Sequence, residues 1–327
     1  GRSWTQGADV AQGMRMSGMR ERFSCLDFIV SRSTGQIMDD VPVGRMSIND
    51  IAMGKPLGSG VFATVYQGEW RFPCAVKKMK PPERREKTRS HLNAFVREGE
   101  ILRKMKHPNI VKLVGVIADA DNLCFVLEKA TGDNLADVIH KHKQKIDFDK
   151  QLVMAAQIAS AIAYVHSVSV VHRDIKPENI IFNHAKMQCR LVDFGLSRLL
   201  PPGSDAVVTD PGGTPAYWPP EVLKTGASNR VHVCCKADQY GFAITFWELF
   251  TLRLPWTGVT LEQLCTGVIG GNRPAIPPDM PYAYADIICA CWADATDVRP
   301  EFEAVVAMLA AMREELAAIG NEQEVTC

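Results

Sequence analysis

Three places in the chain hold residues whose types and spacing could do chemistry, and two of them point to phosphate. Gly58-Ser59-Gly60 lies in a strand-type run, where the missing Cβ atoms let backbone amides approach phosphate oxygens. A glycine hairpin is more often only a turn. Ala63 stands where a G-x-G-x-x-G run would carry its third glycine, and no helix follows, which argues against a dinucleotide site of the Rossmann type. Lys77 ends Ala75-Val76-Lys77 on the next predicted strand, and the alternation that turns Ala75 inward turns Lys77 inward too. An ammonium there needs an anion. Nucleotide phosphates would serve, and so would Glu98, one turn before Leu102 on a predicted helix. The basic neighbours Lys78, Lys80, Arg84, Arg85, Lys87 and Arg89 read as a solvated loop.

The third place is His172-Arg173-Asp174-Ile175-Lys176-Pro177-Glu178-Asn179. For five specified residue types, chance gives about one in three million per window, or on the order of one in ten thousand for a chain of this length. Asp193-Phe194-Gly195 and Pro219-Pro220-Glu221 follow in order. Coincidence is a poor account of all three.

The elements that must position these residues change character along the chain. Residues 1–49, rich in Met, Arg, Gly and Ser, show weak periodicity and read as a partly flexible extension, with Phe23 to Val30 able to pack as a short element. From Ile51 short β-type runs follow, at Leu57, Val61 to Tyr66 and Cys74 to Val76. Leu92, Phe95, Val96, Leu102 and Met105 then recur at helical spacing, from a candidate cap at Ser90 to an end near His107-Pro108. Ile110 to Ile117 and Leu123 to Leu127 read as two more strands. Beyond residue 130 the periods turn helical, at Leu152 to Val165, Ala237 to Phe250, Leu261 to Ile269, Tyr284 to Trp292 and Phe302 to Leu316. A strand-rich lobe followed by a helix-rich one is an α+β arrangement, with a cleft expected between the lobes.

Composition removes several alternatives. Lys plus Arg (37) equals Asp plus Glu (37) in 327 residues, so no overall field draws the chain to nucleic acid or an anionic membrane, and phosphate binding must be local. No apolar stretch approaches the ~20 residues a membrane span needs, and the best candidate, Gly241 to Trp247, is stopped by Glu248. The ten cysteines show no paired zinc-type spacing and read as thiols in a reducing compartment. His232 near Cys234, and His140 with His142, lack a second ligand pair and are assigned to structure. The first residues carry no apolar signal core, and a chain beginning with Gly reads as a fragment.

Across roughly residues 50–316 these motifs resemble the eukaryotic protein kinase family, and Cys291-Trp292 with Arg299-Pro300 resembles its tyrosine-kinase-like group. The resemblance implies a bilobal fold: an N-lobe of residues 50–127 with one helix, hinge and C-lobe over 128–318, and a tail of 319–327. It implies ATP with Mg2+ as cofactors and protein substrates as partners. Asp174 would accept or orient the proton of the attacking hydroxyl, Asn179 and Asp193 would hold the metal, and Lys77, paired with Glu98, would hold the α- and β-phosphates. Leu57, Gly58, Ser59 and Gly60 would cover the nucleotide. Val65, Ala75 and Ile181 would sandwich the adenine beside Leu127, and the backbone of Glu128 to Ala130 would read its edge. Leu102, Leu113, His172 and Phe194 would stack, and Glu221 would pair with Arg299.

Lys176, two residues after Asp174, and Gly213-Thr214 ahead of Tyr217 resemble members acting on serine or threonine. Lys176 would steady the transferring phosphate, and Thr214 would bond back to that loop. Trp218 and the Trp292/Arg299 segment keep a likeness to tyrosine kinases, so dual specificity is one alternative. A nucleotide-binding pseudokinase scaffold is the other, favoured by Ala63 and by Pro219-Pro220-Glu221 in place of Ala-Pro-Glu; the presence of Lys77, Asp174, Asn179 and Asp193 opposes it. Arg173, with Arg198, is expected to meet a phosphate on residues 196–214, with Thr209 the first choice and Ser204 or Ser197 behind it. That phosphate would come from an upstream kinase or from autophosphorylation. A cytoplasmic location is expected; substrate, pathway and oligomeric state are not legible.

Overall fold

The computed structural model describes residues 44–81, 88–119, 121–201, 206–208, 212–224 and 231–325. The chain divides into two compact units, one of Gly1–Lys106 with Lys112–Lys129 and one of His107–Val111 with Ala130–Cys327.

The first unit is the strand-rich one. It runs β1 (Gly44–Arg45), β2 (Ala52–Ser59), β3 (Ala63–Glu69), β4 (Pro73–Met79), α1 (Thr88–Lys104), β5 (Leu113–Ala118) and β6 (Leu123–Glu128). Its six strands form one sheet in the order β1-β5-β6-β4-β3-β2. Neighbours are antiparallel except β1 and β5, which run parallel with Gly44 opposite Gly115. That pairing binds Gly44 and Arg45, inside the expected extension, to the sheet.

One face of the sheet buries Ile51, Cys74, Val76, Val114, Ile117, Cys124 and Val126 together. Because side chains alternate along a strand, Cys74 and Val76 on that face leave Ala75 and Lys77 on the other. There α1 is anchored by Phe95, whose ring stacks on Phe125 at 4.4 Å. The helix starts at Thr88, so Ser90 lies in its first turn and does not cap it. No Gly or Pro between Lys87 and Ser90 opposes that longer start.

The second unit carries β7 (Asp133–Asn134), α2 (Phe148–Ser167), β8 (Val170–Val171), β9 (Ile180–Asn183), β10 (Gln188–Leu191), β11 (Arg198–Leu199), β12 (Ala206–Val208), α3 (Pro220–Leu223), β13 (Val231–Val233), α4 (Lys236–Thr251), α5 (Leu261–Ile269), α6 (Tyr282–Cys291) and α7 (Phe302–Val325). Small sheets join β10-β9-β7, β11-β8 and β12-β13. In α2 the buried positions Leu152, Ala155, Ala159, Ile162 and Val165 keep the helical spacing read from sequence. Every residue of α4 from Asp238 to Leu249 is buried, which makes it an internal helix without a polar face. The last helix continues past Leu316, since Glu314 to Ala318 are strong helix formers. Among the described residues no helix is long and apolar enough to cross a membrane.

Candidate active site

In the strand-rich unit the buried face of β4 delivers Lys77 to Glu98 on α1. Nζ lies 2.5 Å from Oε1, and the two side chains are 9% and 4% exposed. Charges so far from water persist only when paired, so the pair fixes α1 against the sheet and directs an ammonium along the same face. Ala75 shares that face and lies opposite Leu127, which is buried; Val65 lies opposite Lys77 in the next strand. Gly58-Ser59-Gly60 forms the tip of the β2–β3 hairpin, with Gly58 opposite Val65 and the Gly60 amide donating to the Ala63 carbonyl at 2.9 Å. Leu57 at its base is half exposed. Lys80 Nζ donates to the Gly60 carbonyl at 2.5 Å, holding the tip down on β4. The Glu128 amide donates to the Lys112 carbonyl, and Ala130 begins the second unit.

In the helical unit the loop between β8 and β9 is organised from beneath by Asp238, fully buried near the start of α4. Oδ2 accepts the His172 amide and Oδ1 the Arg173 amide, both at 2.8 Å. His166 Nε2 donates to Oδ2 at 2.8 Å. Burial alone would raise the Asp238 carboxyl, but the His166 bond and charge and the His172 contacts hold it below the usual carboxylate range. For His166 burial acts to lower the pKa; the Asp238 hydrogen bond and charge outweigh it and raise the ring to about 9. The loop also lies directly on α4 at Gly241, where a Cβ would meet the Ile175 carbonyl oxygen at 2.8 Å. Glycine inside a helix costs about 1 kcal/mol relative to alanine, a cost offset here by that contact.

Held this way, Asp174 stands at the centre of a network. Asn179 Nδ2 donates to its carbonyl oxygen and to Oδ2, both at 2.8 Å. Lys176 Nζ lies 2.8 Å from the same Oδ2 and donates to Thr214 Oγ1 at 2.8 Å. Thr214 therefore bonds back to the loop, as the sequence led us to expect. Gly213 beside it has φ +92°, and a Cβ there would press on Asp174 Oδ1 at 3.1 Å and Trp218 Nε1 at 3.1 Å. Arg173 and Asp193 also hold positive φ, 73° and 61°, a cost of order 1–3 kcal/mol each that persists where surroundings over-determine the backbone.

The exposed Asp193 carboxylate accepts the Gly195 amide at 3.2 Å, and the Phe194 ring packs edge-on against His172 with centroids 4.9 Å apart. Arg173 and Arg198 converge, both donating to the Leu196 carbonyl at 3.0 and 3.1 Å. Ser197 is 1% exposed, and its hydroxyl donates to the His172 carbonyl, a placement that hides it from a second enzyme. Thr209 and Ser204 lie outside the described residues. Ile181 is half-buried in β9, opposite Arg190 and Asn134.

Farther out, Glu221 and Arg299 pair as expected, and the contact is bidentate, Nη1 to Oε1 at 2.7 Å and Nη2 to Oε2 at 2.9 Å. A second network was not foreseen: Glu248, buried in α4 with its carboxyl raised chiefly by burial, accepts from Tyr217 at 2.7 Å and pairs with His140. The sequence signal for Asp238 and Glu248 was there, two acids in an otherwise apolar helix.

The donor set suits a divalent cation. Both hydrogen bonds of the Asn179 amide nitrogen go to Asp174, and the Asn179 side-chain oxygen and the Asp193 carboxylate are donors of the kind a hard divalent cation takes. Among the described residues no three His, Cys, Asp or Glu side chains cluster as a self-sufficient metal cage.

Residues 51–309 match the family model for protein tyrosine and serine/threonine kinases, and the chain belongs to that family. It is 34% identical to a probable serine/threonine-protein kinase of Dictyostelium discoideum over 81% of its own length and 28% of the relative. It is 31% identical to the serine/threonine-protein kinase CTR1 of Arabidopsis thaliana, over 85% of this chain and 33% of the relative. A putative serine/threonine-protein kinase/receptor of Acanthamoeba polyphaga mimivirus is 30% identical over 81% of this chain and 15% of the relative. The chain thus spans a third or less of these relatives. With a strand-rich first unit and a helical second one, it is a protein kinase domain, and the family implies ATP and a divalent metal.

Proposed function

We propose that the protein transfers the γ-phosphate of Mg2+-bound ATP to serine and threonine hydroxyls of protein substrates. The observation that carries this reading is the network in which Asn179, Lys176 and Thr214 gather on Asp174. Asp174 orients the attacking hydroxyl and accepts its proton. Lys176, shared between Asp174 and Thr214, stabilises charge on the phosphoryl group in flight. Phosphoryl transfer spreads charge over non-bridging oxygens, so fixed cations and positioning supply most of the rate. Lys77, steadied by Glu98, binds the α- and β-phosphates, and Leu57, Gly58, Ser59 and Gly60 lie over them. Val65, Ala75, Leu127 and Ile181 contact the adenine, with backbone from Glu128 to Ala130 reading its edge. Asn179 and Asp193 hold the metal, which when bound neutralises phosphate charge.

We assign residues 50–127 and 128–318 to the two lobes, with 1–49 as an extension and 319–327 as a tail. The convergence of Arg173 and Arg198 supports regulation by a phosphate on the 196–214 segment, added in trans or by autophosphorylation. The buried thiols of Cys74, Cys124, Cys189 and Cys291 suit a reducing, intracellular compartment.

A degenerate peptide array with radiolabelled ATP tests the reading. Label on serine and threonine is expected. No transfer at all would support the scaffold alternative, and label confined to tyrosine would overturn the specificity.

A further inference from the structure

The tip of the β2–β3 hairpin carries little packing: Val61 is 82% exposed and Phe62 60%. A segment without buried apolar contacts is held by its hydrogen bonds or not at all. Two of these lie within the hairpin, Ser59 Oγ with Thr64 Oγ1 at 3.0 Å and the Gly60 amide to the Ala63 carbonyl at 2.9 Å. Two more come from Lys80, the residue after β4. Its amide donates to the Phe62 carbonyl at 2.9 Å, and its Nζ to the Gly60 carbonyl at 2.5 Å. Lys80 reads from sequence as one solvated lysine among several, yet in the fold it grips the hairpin by backbone and side chain together.

The side from which it grips decides what the grip does. Ala63 lies opposite Met79 and Val65 opposite Lys77, so the bond from Lys80 to Phe62 continues that ladder and Lys80 keeps the alternation of β4. It therefore shares the side of Lys78, whose Nζ reaches Asn122 Oδ1 at 2.6 Å, and lies opposite to Lys77. The Gly60 carbonyl is drawn to the Lys78 side. No peptide among the described residues is cis, and in a trans peptide the carbonyl and the following N–H point opposite ways. The Val61 amide is thus turned to the side of Lys77.

We propose that Lys80 is a positioning residue for nucleotide phosphate: by holding the Gly60 carbonyl it aims the Val61 amide at the side where Lys77 receives phosphate. The proposal rests on the kinase reading. Without the ammonium the Gly60–Val61 peptide turns freely, and the amide spends part of its time facing away. Phosphate then binds less tightly, while contacts to the adenine are untouched.

The test compares wild type with Lys80→Met, which keeps the length and drops the donor, and Lys80→Arg, which keeps a donor. Calorimetry with Mg2+-ADP and with adenosine is read beside hydrogen exchange of the segment 57–66. Lys80→Met is expected to bind Mg2+-ADP about fivefold more weakly, the loss of one hydrogen bond, with adenosine binding little changed. Exchange in the hairpin should be several-fold faster, and Lys80→Arg should recover most of both effects. In peptide phosphorylation the KM for ATP should rise by the same factor, with a smaller change in kcat. Equal weakening of ADP and adenosine, ADP affinity unchanged despite faster exchange, or Lys80→Arg no better than Lys80→Met overturns the positioning role. Unchanged exchange in Lys80→Met overturns the grip itself. Wild-type protein that binds neither ligand overturns the kinase reading and this proposal with it, whereas wild type that binds both, matched by Lys80→Met, overturns the proposal alone.

Discussion

Replacing Glu221 with alanine removes both anionic contacts of a guanidinium that cannot reach water. The Arg299 side chain is 0% exposed and Glu221 26%. The remaining bonds, Nε to the Ala293 carbonyl and Nη1 to the Lys236 carbonyl, both 2.8 Å, hold the cation in place without compensating its charge. Two N–H groups and one positive charge are orphaned together. Breaking a buried pair from one side costs about 3–5 kcal/mol, and a Coulomb term of about 4 kcal/mol at an effective dielectric of 20 agrees. The open side of Glu221 admits some water, which favours the lower end. Glu221→Gln, keeping one acceptor, should lose roughly half as much. Urea unfolding followed by circular dichroism reads the effect as a midpoint lowered by about 1 M or more, with the slope unchanged. A loss below about 1 kcal/mol for Glu221→Ala would refute the claim that this pair is a buried fastening of the helical unit.

Other consequences follow from the same geometry. The His166 pKa is about 9 in the fold against about 6.5 unfolded, so its contribution is complete below pH 6.5 and disappears as pH rises through 9. It amounts to about 2–3 kcal/mol shared with Asp238; the melting temperature should fall over that window in wild type and less in His166→Gln, and a flat profile would contradict the pairing. Lys77→Met should raise the KM for ATP and reduce kcat/KM by about 10²-fold or more; an unchanged KM would remove Lys77 from the phosphate site. Thr214→Val, which leaves Lys176 with Asp174 alone, should lower kcat about tenfold, the equivalent of one hydrogen bond of about 1.4 kcal/mol, and parity with wild type would dissociate Thr214 from the loop.

Much of this was legible beforehand because local period and chemistry agree. The spacing of Leu92, Phe95 and Leu102 gives α1, and alternation in β4 puts Lys77 on the face that α1 covers, so the pair with Glu98 could be anticipated before either was placed. The pairing of Glu221 with Arg299 came from motif resemblance; nothing local joins residues so far apart. What escaped was long-range and structural. Asp238 and Glu248 look anomalous in an apolar helix, but their partners, two backbone amides and His166 for one, Tyr217 and His140 for the other, depend on how loops return to α4. His140 is assigned to structure from sequence, but nothing local names Glu248 as its partner. The pairing of β1 with β5 and of β12 with β13 joins segments too short for a periodic signal, and two or three residues cannot announce their register.

The account stands on Asp174 acting on the hydroxyl that is phosphorylated. A single-turnover quench-flow measurement with a serine peptide, wild type against Asp174→Asn, addresses this without interference from product release. We predict a transfer step slowed by 10²–10⁴-fold, with nucleotide and peptide affinities within a few-fold of wild type. An unchanged transfer rate in Asp174→Asn would contradict the account.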